Sequence, residues 1–170
     1  CQTRLPVHDT VRTTNSALER LITEGYRRSA TFRRVVDALV HTSTRVYVES
    51  NWSQQGQGLA RNLSGGLQFI TSSGGTRFLQ VSIRQGATDD EVMATLAHEL
   101  QHALEVGQAP HVTDGESFRR LFQVIGERRC FGLERECYDT AAAIDVGHDV
   151  LAEVRRASAD DACQRELQAE

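Results

Sequence analysis

The chain has 170 residues, of which 39% are hydrophobic and 25% charged, and carries a formal net charge of −4. That length is one domain's worth, read as residues 1–170, and buries a core without staples. The negative balance, with no basic run or aromatic-interleaved patch, excludes a nucleic-acid partner, and no apolar run of about 18 residues offers a transmembrane segment. All 19 basic residues are Arg, scattered along the chain, which reads as genomic bias and not as an anion site.

The chain opens on Cys1 and not on Met. A removed signal peptide, a lipidated N-terminal cysteine and an artificial start fit this equally well. Four cysteines stand at Cys1, Cys130, Cys137 and Cys163. Cys130 and Cys137 bracket a short Gly-containing loop, so a disulfide clamping it is the natural reading in an oxidising compartment. Cys1 with Cys163 then ties the termini, although four cysteines allow three connectivities. A thiolate metal ligand is the rival reading. The expected location is extracytoplasmic, whether secreted, periplasmic or lipid-anchored.

In chain order, Ser16-Ala17-Leu18-Glu19 reads as a capping box opening a helix that breaks near Gly25. Phe32, Val35, Val36, Leu39 and Val40 give a second helix its core stripe. Arg45 to Glu49 alternates as a strand, and the polar, Gly-rich stretch from Ser50 to Gly66 is a loop. Its two N-x-S sequons, at Asn51 and Asn62, are ordinary loop composition. Leu67 to Thr71 is a second strand, Ser72 to Gly75 a turn, and Phe78 to Arg84 a third strand with Leu79, Val81 and Ile83 on one face.

Thr88-Asp89-Asp90-Glu91 follows as a capping box, with Thr88 at the N-cap and Glu91 at N3. Val92, Leu96, Leu100 and Ala103 form the apolar stripe of that helix, and Gly107 is its expected stop. Within it lies Ala97-His98-Glu99-Leu100-Gln101-His102-Ala103, an HExxH pattern. Positions i and i+4 share a helix face, so His98 and His102 present their imidazoles to one ion, and a tetrahedral Zn²⁺ suits the pair. Glu99 points about 100° round the helix from His98. From there it reaches a water as general base but cannot easily join the ligand pair.

Asp114 caps a further helix bearing Phe118, Leu121, Phe122 and Ile125, which ends at Gly126. After the cysteine loop, Asp139 or Thr140 starts a last helix through Ala157, with Ala141, Ile144, His148 and Leu151 along one face. His148 reads as a packed or half-exposed helix residue. The tail from Ser158 is polar and is expected to fray.

Around the HExxH the sequence resembles the active-site helix of the zincin metallopeptidases over about twenty residues. The resemblance implies an α+β, zincin-like domain: N-terminal helices, a small three-stranded sheet whose edge strand can hold an extended peptide, the HExxH helix, and C-terminal helices. It implies zinc as cofactor, a peptide or protein as substrate, His98 and His102 as ligands and Glu99 as the catalytic base. Glu105, Val106, Gly107 and Gln108 stand where the metzincins carry a further ligand, so that subclass is excluded and a gluzincin-like ligand from a later element is expected.

A catalytic zinc takes three protein ligands. The candidates for the third are Asp114, Glu116, Glu134, Glu136 and Asp139, with His111 behind them. Asp139 is favoured, because Tyr138-Asp139-Thr140-Ala141-Ala142 resembles a segment of short bacterial zincin-like proteins. An Asp departs from the usual gluzincin Glu, and Asp139 is also placed to cap the last helix. Tyr138 or His111 is the candidate to stabilise an oxyanion. The alternatives in function are a silent zincin-like domain that binds metal or protein, and another zinc amidohydrolase. The oligomeric state is open.

Overall fold

The computed structural model describes residues 7–51, 64–84, 86–128 and 138–167. The elements run α1 (Val7–Thr10), β1 (Val11–Arg12), α2 (Ser16–Arg28), α3 (Ala30–Val40), β2 (Thr44–Asn51), β3 (Gly65–Ser73), β4 (Thr76–Arg84), α4 (Asp89–Gly107), α5 (Gly115–Ile125), β5 (Glu127–Arg128), β6 (Tyr138–Asp139) and α6 (Ala141–Leu167). The class is α+β, as expected.

The main sheet has four strands and not three, in the order β1-β2-β4-β3. The added strand, β1, runs parallel to β2 with Val11 opposite Val46. Two residues are too few to show an alternation, so it had no sequence signal. β2 and β4 are parallel, and β3 returns antiparallel to β4 as an edge strand. The β3–β4 hairpin turns on Gly74 and Gly75, whose φ values of 55° and 77° are those a two-residue primed turn needs. A separate pair, β5 with β6, joins the two ends of the cysteine loop, setting Glu127 opposite Asp139.

Thr44, Val46 and Val48 of β2 and Leu79, Val81 and Ile83 of β4 point to one side of the sheet, following the period of two. They meet α3 and α4, which contribute Phe32, Val36, Leu39, Met93, Leu96 and Leu100, all fully buried. Each such side chain contributes about 1.5–3 kcal/mol by leaving water. α4 is covered a second time by α6, through Val146, Val150 and Val154. It is therefore buried well beyond the four-residue stripe read from the sequence.

Four local readings are corrected. α2 does not break near Gly25 but runs on to Arg28. α2 is capped by Asn15 and not Ser16: the Asn15 amide oxygen accepts from the Ala17 and Leu18 amides, while its amide nitrogen donates to Ser50 Oγ at the end of β2. That long-range bond selects Asn15 over a neighbour with equal capping tendency. α6 does not end at Ala157 but continues to Leu167. Polarity alone does not stop a helix, and no Gly or Pro follows to do so. Gly107 does close α4, but not through a left-handed backbone: a Cβ there would meet the Thr42 side chain at 2.8 Å.

The cysteine pairings fall outside the described residues: Cys1, Cys130 and Cys137 lie beyond them, and the Cys163 side chain is not described. No described helix is long and apolar enough to cross a membrane.

Gly25 sits where α2 meets α3, and a Cβ there would come within 2.9 Å of the Phe32 ring. Helix propensity favours Ala over Gly by about 0.5–1 kcal/mol, whereas overpacking costs about 1–3 kcal/mol. Phe32 is fully buried and has no room to retreat, so the clash dominates. Gly25→Ala is expected to lower the denaturation midpoint in urea; a raised midpoint would show that the helix pair has slack.

Candidate metal centre

α4 begins with the capping box expected from the sequence: Glu91 donates its amide to Thr88 Oγ1, and the Thr88 amide donates to Glu91 Oε2 at 2.9 Å. Two turns further on, His98 and His102 face the region where α6 begins, while Glu99 turns towards β3. β6 delivers Asp139 to that place, and Thr140 then opens α6 by accepting the Ala143 amide on its hydroxyl. Thr140 is thus the cap, leaving Asp139 free of that role.

Asp139 Oδ1 lies 3.2 Å from His98 Nε2 and 3.3 Å from His102 Nε2. One ligand atom from each of the three residues falls within 4.8 Å of the others, the one such grouping among the described residues. Bonds of about 2.0–2.1 Å in tetrahedral geometry place neighbouring ligand atoms about 3.3 Å apart, the spacing of these two edges. Asp139 Oδ1 is buried, and although both imidazoles are near, neither meets it with hydrogen-bond geometry. An orphaned carboxylate oxygen aimed between two imidazole nitrogens fits a divalent cation.

Behind these atoms runs a chain of polar contacts that the sequence reading missed. His102 Nδ1 is 2.9 Å from Glu105 Oε2, and Thr140 Oγ1 donates to Glu105 Oε1 at 2.7 Å. Glu105 lies three residues after His102 on the same helix face, which was a readable signal. Its partner Thr140 is 35 residues away and left none. On its other side the His102 ring packs edge to face with Phe122 of α5, centroids 5.1 Å apart.

Glu99 is only 5% exposed. Its carboxylate rests against the first residue of β3, where a Cβ on Gly65 would come within 2.8 Å of Oε1. The same Cβ would come within 2.7 Å of Thr95 Cγ2, so any larger residue there would have to displace one or both side chains. Burial raises the Glu99 pKa, outweighing the attraction of His102 and His98. His102 is also buried, which by itself lowers its pKa, but the carboxylates of Asp139 and Glu105 beside its two ring nitrogens win and push it up to about 9. Asp139 shows the converse balance: burial raises its pKa, and the two imidazoles overcome this and hold it well below the usual carboxylate range.

His98, Glu99 and Asp139 line a cleft of about 750 Å³. Gly65 and Ile83 of the sheet form one wall, and Ile144, Gly147, His148 and Leu151 of α6 another. The apolar face read from the α6 sequence is thus the cleft face, while the core face is Ala143, Val146, Val150 and Val154. His148 is exposed at the cleft and is not packed.

Of the other ligand candidates, Asp114 caps α5 by accepting from the Ser117 amide, Glu116 pairs with Arg120, and His111 is exposed; none joins the grouping. Glu134 and Glu136 lie outside the described residues. Neither Tyr138 nor His111 lines the cleft. Tyr138 precedes Asp139 on a strand, so its side chain leaves from the opposite face.

No protein-family model, curated protein or solved structure matches the chain.

Since the folded pKa of His102 exceeds its usual 6.5, its contribution to stability is complete below pH 6.5 and is lost as pH rises through about 9. In metal-free protein, the His102 imidazole followed by NMR is expected to titrate near 9. A midpoint near 6.5 would contradict the contacts with Asp139 and Glu105.

Proposed function

We propose that the chain is a zinc-dependent peptidase of the zincin kind, working in an extracytoplasmic setting. The observation that carries this reading is the convergence of His98 Nε2, His102 Nε2 and Asp139 Oδ1 beside the buried carboxylate of Glu99, with Glu99 open to the same cleft. Two imidazoles and one carboxylate suit zinc among the common divalent ions and leave a coordination position for substrate or water.

His98 and His102 would hold the ion through Nε2, and Asp139 would complete the set from the mouth of α6. A bound zinc supplies a Lewis acid that polarises a carbonyl and brings the pKa of water near 7. Glu99 does the proton work. Its carboxylate takes a proton from the attacking water, whose oxygen bonds to the peptide carbonyl carbon. It returns that proton to the amide nitrogen as the C–N bond breaks, leaving a carboxylic acid and an amine, and the acid's remaining proton then passes to the amine to give carboxylate and ammonium. Burial raises the pKa of this carboxylate, which strengthens it as a base.

β3 is an edge strand whose Gly65 end borders the cleft. An extended peptide laid along it gains main-chain hydrogen bonds without a demand on sequence, and the walls of the cleft then choose among side chains. The carboxylate base, which a purely metal-binding domain does not need, favours turnover over silent binding.

Glu99→Gln is expected to keep one zinc per chain by elemental analysis while peptide hydrolysis falls by at least about 10²–10⁴-fold. His98→Ala should lose both. Retained hydrolysis in either variant would sink the mechanism. Gly65→Ala, whose Cβ would press on both Thr95 Cγ2 and the Glu99 carboxylate and touch no ligand, should depress kcat while leaving zinc content intact; unchanged kcat would show that these side chains give way without cost to the base.

A further inference from the structure

We propose that Glu105 and Thr140 form a positioning clamp that holds His102 and Asp139 in register for metal capture. The inference rests on the zinc reading above and adds two residues outside the HExxH pattern to the working site.

The clamp is a closed ring. Thr140 Oγ1 donates to Glu105 Oε1 at 2.7 Å, Glu105 Oε2 meets His102 Nδ1 at 2.9 Å, and His102 Nε2 stands 3.3 Å from Asp139 Oδ1. The peptide link from Asp139 to Thr140 closes it. Two ligands from elements far apart in sequence are thereby tied through one carboxylate.

Three features argue for a working role beyond structural hydrogen bonding. First, the Glu105 side chain is 11% exposed and the His102 side chain 7%, so a charge has been taken out of water at a cost that solvated positions on α4 would not incur. Secondly, both carboxylate oxygens are engaged, one by the ligand histidine and one by the residue adjoining the ligand aspartate. Thirdly, an acceptor at Nδ1 puts the ring proton there and leaves the Nε2 lone pair directed at the cation position. Thr140 has a double duty, since the same hydroxyl accepts the Ala143 amide and so fixes where α6 starts relative to Asp139.

The roles divide between the two residues. Glu105 sets the tautomer and the ring orientation of His102. Thr140 sets the distance between α4 and the Asp139 carboxylate. Neither touches substrate or the cation, so both are positioning residues.

The test is zinc affinity by chelator competition at fixed pH, together with the thermal stability of each metal-free protein. Glu105→Leu is expected to raise the zinc Kd about 10–100-fold, and Thr140→Val to raise it in the same direction. Thr140→Ser, which keeps the hydroxyl, should stay within about twofold of wild type, a rescue that simple packing does not explain. Should Glu105→Leu fail to fold without metal, the Thr140 Val and Ser variants decide the matter by themselves. Wild-type affinity in folded Glu105→Leu, or equal losses in Thr140→Val and Thr140→Ser, overturns the clamp and leaves the zinc reading standing. Failure of the wild-type protein to take up zinc overturns both.

Discussion

The half-buried carboxylate of Asp139 is the constraint on which the candidate site depends. An anion in the interior is costly unless charges or donors face it, and here two imidazoles do so from a neighbouring helix. That arrangement requires α6 to start at one place and α4 to present its third and fourth turns there. Packing supplies both conditions: Val146, Val150 and Val154 seat α6 on α4, and the sheet supports α4 from the far side. The balance also explains the opposed shifts, with His102 drawn upward and Asp139 downward by the same proximity.

Burial sets the three residues of the HExxH pattern in different surroundings. His102 lies behind the cleft, with Glu105 on one nitrogen and Phe122 against its ring. His98 is more open and lines the cleft. Glu99 is turned towards the sheet, and the absence of a side chain at Gly65 makes room for its carboxylate. The proposed division between two ligands and one base matches where each side chain leaves the helix and what it meets.

Much of the helical framework was legible because it is local. The α4 capping box, the Asp114 cap and the core stripe of α3 all depend on residues within one or two turns of each other. Features set by long-range contacts were not. Asn15 won its cap through Ser50, β1 exists only because β2 lies beside it, and Thr140 finds Glu105 across 35 residues. The α6 faces show the limit of periodicity: the helix carries two apolar stripes, one for the core and one for the cleft, and spacing cannot say which is which. Asp139 itself was reached by resemblance, and its position beside the histidines depends on β6 and on the packing of α6 that no local pattern encodes.

The zinc reading requires one ion held by two imidazoles and one carboxylate. Zinc K-edge X-ray absorption on zinc-loaded protein addresses it most directly, because nitrogen or oxygen ligands scatter from about 2.0–2.1 Å and thiolate sulfur from about 2.3 Å. The expected result is a shell of light atoms with the multiple-scattering signature of two imidazoles and no sulfur, with the carboxylate contribution lost in Asp139→Ala. A sulfur shell would move the metal to the cysteines, and a single imidazole would remove His98 or His102 from the ligand set; either result contradicts the account.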